Sequence, residues 1–396
     1  MKVVGIFANL TLNSRDSVDF HTRQYVDALA RRGVEWSLLL FSKSEAKEVD
    51  RPLPGRLTMV RSSKNFAILA MKAARDAAFW LLTGQKIGLL RRLAEEVDRV
   101  QPDIIFIDGL PLAPLIVAFR GRPSVLTCVD AMSLRHYRFL KRARSIVAWL
   151  DSAVRAISCE MLERCFLSRF SVVHVVSSTD AEYLQHICLT ARIRQAPIIA
   201  PIATRPPLPE SEKHRRQMVI WGDVGVGQIR TGIANFLARV RPLLGADAPD
   251  LVVLGRRKPD QELKRLLDKW PGVTFSAWAT DLNALLAQSG AVILPDDSGT
   301  GIKNRTVHAM ALGVVVIGSP AALEGVPVED GVNALVCRNE KEFAATIVRA
   351  GVASASVLDL ERNAVRLVED YFSEEVVSQK WLTILREALE SGRVTA

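Results

Sequence analysis

Cysteine is sparse and unpaired in pattern: five residues (128, 159, 165, 188 and 337) lie scattered, with no C-x-x-C among them. An odd, dispersed set gives no disulfide framework and no sign of structural zinc, and it fits a reducing cytoplasm. Long apolar runs are missing too, since none reaches the roughly 18 uninterrupted residues of a membrane span. The nearest, FAILAMKAARDAAFWLLTGQKIGLL (66–90), is broken by Lys72, Arg75, Asp76 and Lys86. The opening MKVVGIFANL is too short in its apolar run for a signal peptide and is expected to be a first core strand. No internal repeat has a solenoid period, and no segment is of low complexity.

Several catalytic signatures are absent as well. WGDVGVGQIRTG (221–232) approaches a dinucleotide fingerprint, but Arg230 stands where its third glycine would be. Asp296–Asp297 forms no D-x-D, so no metal is expected there, and no Ser-His-Asp or Cys-His set has persuasive spacing. What the chain does have is size and charge. Its 396 residues are 49% hydrophobic and 24% charged, enough for two well-packed domains. The net charge of +9 favours anionic partners such as nucleotides, phospholipid surfaces or nucleic acid, without choosing among them.

The pattern along the chain is an alternation of strands and helices. KVVGIFANL (2–10), VEWSLLLFS (34–42), DIIFIDG (103–109), PSVLTCVD (123–130) and SVVHVVS (171–177) are mostly apolar on both faces. Such strands belong to parallel sheets covered by helices. FHTRQYVDALARRG (20–33) has the spacing of an amphipathic helix. APIIAPIATRPPLPESEKHRR (196–216) holds five prolines and a charged cluster, as an interdomain linker would. A second series follows: QMVIWGDV (217–224), DLVVLGR (250–256), GVTFSAW (272–278), AVILP (291–295), GVVVIGS (313–319) and NALVC (333–337). The tail VVSQKWLTILREALESG (376–392) places Trp381, Leu382, Leu385 and Leu389 on one helical face. The expected class is α/β, with two Rossmann-like parallel-sheet domains facing across a cleft. The expected boundaries are 1–205, 206–374 and a C-terminal helix, 375–396, packing back on the first domain.

Residues 295–320, PDDSGTGIKNRTVHAMALGVVVIGSP, carry the most chemistry. A strand gives way to a helix there, and Lys303 and Arg305 fall in its first turn. Cations at that end oppose the helix macrodipole, at a few tenths of a kcal/mol each. A bound phosphate would offset this, held by free backbone N–H groups and both side chains.

The C-terminal half resembles the GT-B glycosyltransferases, specifically those similar to glycosyltransferase family 4 (group 1). The resemblance rests on WGDVG (221–225), TGIANFLARVRPLL (231–244), LVVLGRR (251–257), GVTFSAWATDLNALLAQSGAVILP (272–295), GTGIKNRTVHAMALGVVVIGSPAALEG (299–325) and DGVNALVCRNEKEFAATI (330–347). DFHTRQYVDALARRGVEWSLLLF (19–41) and SCEMLERCFLSRFSVVHVVSSTDAEYL (158–184) look like the family's acceptor-domain segments. The resemblance implies sugar transfer from a nucleotide-sugar donor, held in the C-terminal domain, to a polysaccharide or lipid-linked saccharide held in the N-terminal one. It implies no bound metal or further cofactor, and it favours retention of configuration.

Carried onto this sequence, Lys303 and Arg305 are the candidates for the donor diphosphate, with Ser298, Gly299, Thr300 and Gly301 offering backbone N–H groups. Gly222 and Gly225 would line the donor site as a tight loop. Thr300 and His308 stand where many relatives carry two glutamates, and His308 is a departure. A neutral imidazole accepts one hydroxyl hydrogen bond where a carboxylate accepts two or more. Glu324 is a sugar contact or a helix or turn cap. Asp130, ending PSVLTCVD, is either a catalytic carboxylate or the N-cap of the segment that follows. It would be a general base in an inverting route and a positioning group in a retaining one. Asn13, Arg15, Asp16 and Asp19 either meet the acceptor or a phosphate, or simply form a polar loop. Arg135, Arg138, Lys141, Arg142 and Arg144, among Tyr137, Phe139, Leu140 and Trp149, make 133–150 a basic and apolar segment. With 66–92 it could rest on the anionic inner face of the plasma membrane. The open alternatives are a non-catalytic nucleotide-sugar or anionic-lipid binder on the same fold and a nucleotide-sugar epimerase. Nucleic acid is not the expected partner.

Overall fold

Strands that are apolar on both faces can be satisfied only between two layers of helix, and the chain folds accordingly. The computed structural model describes residues 1–7, 17–42, 55–61, 66–143, 145–352 and 354–394; the side chains of 17–20, 41–42, 59–61, 66–70, 246–247 and 392–394 are outside that description. The chain forms two compact units, Met1–Ile199 with Glu374–Ala396, and Ala200–Ser373.

The first unit runs β1 (Lys2–Phe7), α1 (Ser17–Ala30), β2 (Glu35–Ser42), β3 (Arg56–Arg61), α2 (Phe66–Thr83), α3 (Gly88–Val100), β4 (Ile104–Asp108) and a 3-10 segment, Leu110–Phe119. It continues with β5 (Ser124–Val129), α4 (Met132–Leu140), α5 (Ile146–Phe166), β6 (Val172–Val175), α6 (Ser178–Ile187) and β7 (Ile193–Gln195). The sheet order is β3-β2-β1-β4-β5-β6-β7, with every pairing parallel. The outermost strands, β3 and β7, are the two that the apolar pattern does not reveal. RLTMVR carries arginine at both ends and IRQ is three residues long. An edge strand needs one partner only, so the sequence there is free to be polar.

The second unit runs β8 (His214–Trp221), α7 (Gly227–Asn235), β9 (Asp250–Leu254), α8 (Gln261–Asp268), β10 (Val273–Ser276), α9 (Leu282–Gln288) and β11 (Ser289–Leu294). Then come α10 (Asn304–Ala311), β12 (Val316–Gly318), α11 (Pro320–Leu323), β13 (Leu335–Val336), α12 (Glu340–Ala350) and α13 (Ala355–Phe372). This sheet has the order β10-β9-β8-β11-β12-β13 and is also parallel throughout. The helix read over 231–244 is shorter than its apolar period implies. α7 ends at Asn235, and 236–247 continue as π and 3-10 turns. Pro242 has no N–H for the α ladder, and Gly245 takes φ 63.

The charged cluster of 210–216 is not linker. Lys213 and Arg215 are buried in the second unit, where Lys213 Nζ donates to Glu361 Oε1 at 2.7 Å and Arg215 Nη1 donates to the same oxygen at 2.6 Å. Glu210 closes the network on Arg215 at 2.7 Å. The chain then returns to the first unit as α14 (Glu374–Val394). Trp381, Leu385 and Ala388 of α14 are buried in the layer built on Phe7, Leu38 and Phe106. The Trp381 ring lies 4.0 Å from that of His174 and 4.9 Å from that of Tyr25. Arg31 and Arg32 bind Glu374 and Glu375 at the start of the helix. Among the described residues no single helix is long and apolar enough to cross a membrane.

Candidate active site

A parallel sheet binds ligands where its strand order reverses, because the loops leaving two neighbouring carboxyl ends diverge there. In the second unit that point lies between β8 and β11. The loops concerned are 222–226 and 295–303, so the Gly-Thr-Gly-Ile-Lys-Asn segment leaves the sheet at its ligand-binding edge.

Burial dictates the local structure. β11 is buried at every position, and the loop after it stays so at Asp296, Ser298 and Thr300. Lys303 is the N-cap residue of α10 and folds back on its own loop, donating from Nζ to Thr300 O at 2.7 Å and Gly301 O at 2.8 Å. Its stem runs against Gly299, where an added Cβ would lie 2.9 Å from the lysine Cε. Gly299 therefore leaves room for the lysine, and Gly301 sits at φ 68, in the left-handed region. Arg305 behaves differently. Its guanidinium is largely buried, paired with the buried Asp296 carboxylate, and donates to Trp221 O at 2.7 Å. The offset to the macrodipole that the sequence assigns to a ligand is thus supplied to Arg305 by Asp296. Gly222 makes this possible, since a Cβ there would stand 2.5 Å from Arg305 Nη1. Gly225 forms a tight turn, its N–H donating to Asp223 Oδ1 at 2.8 Å. Two oxygens in the loop, Asp296 Oδ1 and Thr300 Oγ1, are buried without a hydrogen-bond partner among the described residues. Leaving such a group unsatisfied costs roughly 1–3 kcal/mol.

His308 lies one turn along α10. Its Nε2 donates to Asn283 Oδ1 at 2.7 Å, and its ring meets Trp221 edge-on at 5.0 Å. Burial, with a smaller contribution from Arg205, pushes the imidazole down to about 4 from its usual 6.5. It is therefore neutral near pH 7, with Nδ1 as its acceptor. The folded state takes up this proton less readily than the unfolded chain, so stability falls as pH drops from about 6.5 to 4, by up to about 3 kcal/mol. His308→Gln should remove that loss, so the stability gap between variant and wild type should shift in the variant's favour across this window. Urea melts at several pH values measure it, and parallel profiles would refute the assignment. Glu324 is the C-cap residue of α11 and half-buried. Ser319 ties α11 to the loop by donating from Oγ to Asp296 O at 2.7 Å.

Asp130 belongs to the first unit, at the carboxyl end of β5. It is presented by an unusual turn: Val129 holds φ 62, and the Asp130 N–H donates to Cys128 O at 2.8 Å. A β-branched residue in the left-handed region is strained, and such strain gathers where a side chain must be aimed. The N-cap of α4 is Ala131, not Asp130. The amides of Ala131 and Ser133 donate to Asp180 and Glu163 instead. Glu163 escaped the sequence reading because it lies 30 residues from Ser133 inside an amphipathic helix. Its carboxyl is buried, and burial raises it to about 7, against the opposing hydrogen bonds from Ser133. Asn13, Arg15 and Asp16 fall outside the described residues; Asp19 is in α1, with its side chain outside them. Lys303, Arg305, Ser298–Gly301, His308, Glu324, Gly222 and Gly225 thus share one unit, and Asp130 the other.

Residues 219–350, which include both loops and α10, match the family model "Glycosyl transferases group 1". No curated protein is similar enough in sequence to count as a match. Among solved structures, sucrose-phosphate synthase from Thermosynechococcus elongatus is 17% identical, with 97% of this chain and 98% of that one covered and a TM-score of 0.68. TarM is similar at a TM-score of 0.69, 10% identity and coverage of 97% and 98%. Alr3699/HepE of Anabaena, solved with UDP and glucose, has a TM-score of 0.64, 13% identity and coverage of 98% and 99%. At such identities the structural likeness speaks for the fold, and the activity rests on the domain match. The chain carries a group 1 glycosyltransferase domain in its second unit and is a glycosyltransferase of the GT-B fold.

Proposed function

We propose that the chain moves a sugar from a nucleoside diphosphate sugar to a saccharide or lipid-linked acceptor in polysaccharide or glycolipid assembly. The observation that carries the donor half is the buried Thr300 hydroxyl, without a partner among the described residues, in the loop whose carbonyls accept from the Lys303 ammonium, at the strand-order reversal of a group 1 domain. A hydroxyl donor, a lysine and the amides of 298–301 together suit the oxygens of a diphosphate. The UDP in Alr3699/HepE and the UDP-glucose in a further crystal of that protein supply a chemical precedent.

In the proposed reaction Lys303 and the loop amides bind the diphosphate and stabilise the negative charge that grows on it as the bond to the sugar breaks. Arg305 acts one layer further in, holding Asp296 and the β8 end in place. The acceptor oxygen forms the new bond to the anomeric carbon, and its proton passes to an oxygen of the departing diphosphate. That route retains configuration and calls on neither a metal nor a separate cofactor. Asp130 then orients the sugar or the acceptor. His308 offers Nδ1 as one acceptor to a ribose hydroxyl, and Glu324 a carboxylate to the sugar. The enzyme works on the cytoplasmic side, with peripheral contact to an anionic membrane through 66–92 and 133–150. Thermal shifts across a panel of nucleoside diphosphate sugars test the reading: one donor should raise the melting temperature, followed by acceptor-dependent release of nucleoside diphosphate. A panel with no shift at saturating concentrations would refute it.

A further inference from the structure

Large apolar side chains at the surface are not spread evenly over the first unit. Ile146, Val147, Leu150, Val154, Ile157 and Met161 are between 52% and 76% exposed, all of them on α5. At 100° per residue they fall within an arc of about 100° and form a stripe about 22 Å long. The opposite face of α5 buries Ala156 and Glu163, so the helix is anchored by its other side. Ionic groups of α5 pair with one another, Asp151 with Arg155 at 2.8 Å and Glu160 with Arg164 at 2.7 Å, and Arg164 stands in line with the stripe just beyond its carboxyl end. At its start, Ala143, Ser145, Ile146, Trp149 and Leu150 line an open hollow of about 490 Å³ that is almost wholly apolar. A second exposed apolar group, Met71, Phe79, Leu81 and Leu82, lies on α2, which packs against the same 3-10 segment as α5.

Charge distinguishes the possible occupants. From Ala131 to Leu150 the chain has no acidic residue and five basic ones, Arg135, Arg138, Lys141, Arg142 and Arg144. A second copy of the same face would bring two such clusters together, whereas an anionic bilayer neutralises one. We infer that α5 is a membrane-seating helix, lying in the headgroup region of an anionic bilayer with its apolar stripe inserted. The preceding cations meet lipid phosphates, and Trp149 sits at the polar boundary, where aromatic rings with one polar edge collect. This deepens the proposed membrane contact by naming the inserted element, and it does not depend on the donor site.

Sedimentation with phosphatidylcholine vesicles, with and without phosphatidylglycerol, tests it. The full chain should bind the anionic vesicles at low salt, bind neutral ones weakly at any salt, and fall to that weak level on the anionic ones as salt rises. Ile146→Ser/Leu150→Ser/Val154→Ser/Ile157→Ser should lower the partition coefficient by about 100-fold. Lys141→Gln/Arg142→Gln should lower it by roughly 30-fold. Neither variant should change the thermal shift with nucleoside diphosphates, which separates this inference from the donor reading. Wild type that stays in the supernatant, or a serine variant that binds like wild type, overturns the inference. So does a wild-type dimer that ignores vesicles and is dissociated by the serine substitutions, which would make the stripe an interface between copies.

Discussion

Replacing Glu361 with alanine is expected to destabilise the second unit by about 3–5 kcal/mol, a large part of what holds a domain of this size together. Two cations depend on that one carboxylate. Lys213 Nζ and Arg215 Nη1 both donate to its Oε1, and the lysine and glutamate side chains have no exposed surface. Burial already pulls the Lys213 ammonium down, against the raising effect of Glu361. Without the glutamate, two buried positive charges would face each other, with only the half-exposed Glu210 to offset Arg215. The pair itself is not the source of the stability, because its desolvation cost is similar to its attraction. A triple variant, Lys213→Met/Arg215→Met/Glu361→Leu, should therefore regain most of what Glu361→Ala loses. Urea unfolding followed by tryptophan fluorescence measures both. A single variant within 1 kcal/mol of wild type would mean that the network is wetter than its burial indicates.

Lys303→Ala and Arg305→Ala are expected to differ in kind. Lys303 donates to Thr300 O and Gly301 O, neutral carbonyls of its own loop, so its removal should change the melting temperature far less than removal of Arg305. It should lower kcat/KM by about 10²–10³, the usual loss when one charge-stabilising donor leaves a site. Arg305→Ala should also lower activity, but with a loss of stability of about 3–5 kcal/mol, because the buried Asp296 carboxylate loses its cation. Asp296→Asn/Arg305→Met should recover stability and not turnover. Melts and steady-state rates on the same samples test both halves, and an Arg305→Ala protein as stable as wild type would refute the structural role given to the arginine.

These two cases show what the sequence can and cannot carry. The apolar runs of the second series mark every strand of its sheet: the central ones are buried and have little latitude for polar residues, and the edge strands β10 and β13, only partly buried, happen to keep apolar residues. β3 and β7 were hidden because edge positions have that latitude. The special character of 298–303 was legible from glycine and lysine close together in the chain, where local geometry suffices. The partner of Arg305 was not. Asp296 reads only as half of an Asp pair that forms no D-x-D, and only the fold shows that Gly222, in the loop after β8, clears the space in which the guanidinium meets it. Glu361 was hidden for the same reason, 148 residues from Lys213 and set within an amphipathic helix. Helical periodicity shows which face is buried, but not that a buried acid answers cations on a distant strand. Likewise, only the three-dimensional structure separates the exposed stripe of α5 from an ordinary core face with the same spacing.

Calorimetric titration of UDP into the wild-type protein and into Lys303→Ala puts the donor-site account to its most direct test. The account predicts saturable one-site binding to wild type, weakened by at least about tenfold in the variant at unchanged thermal stability. Equal affinity in the two proteins would place the diphosphate elsewhere and contradict it.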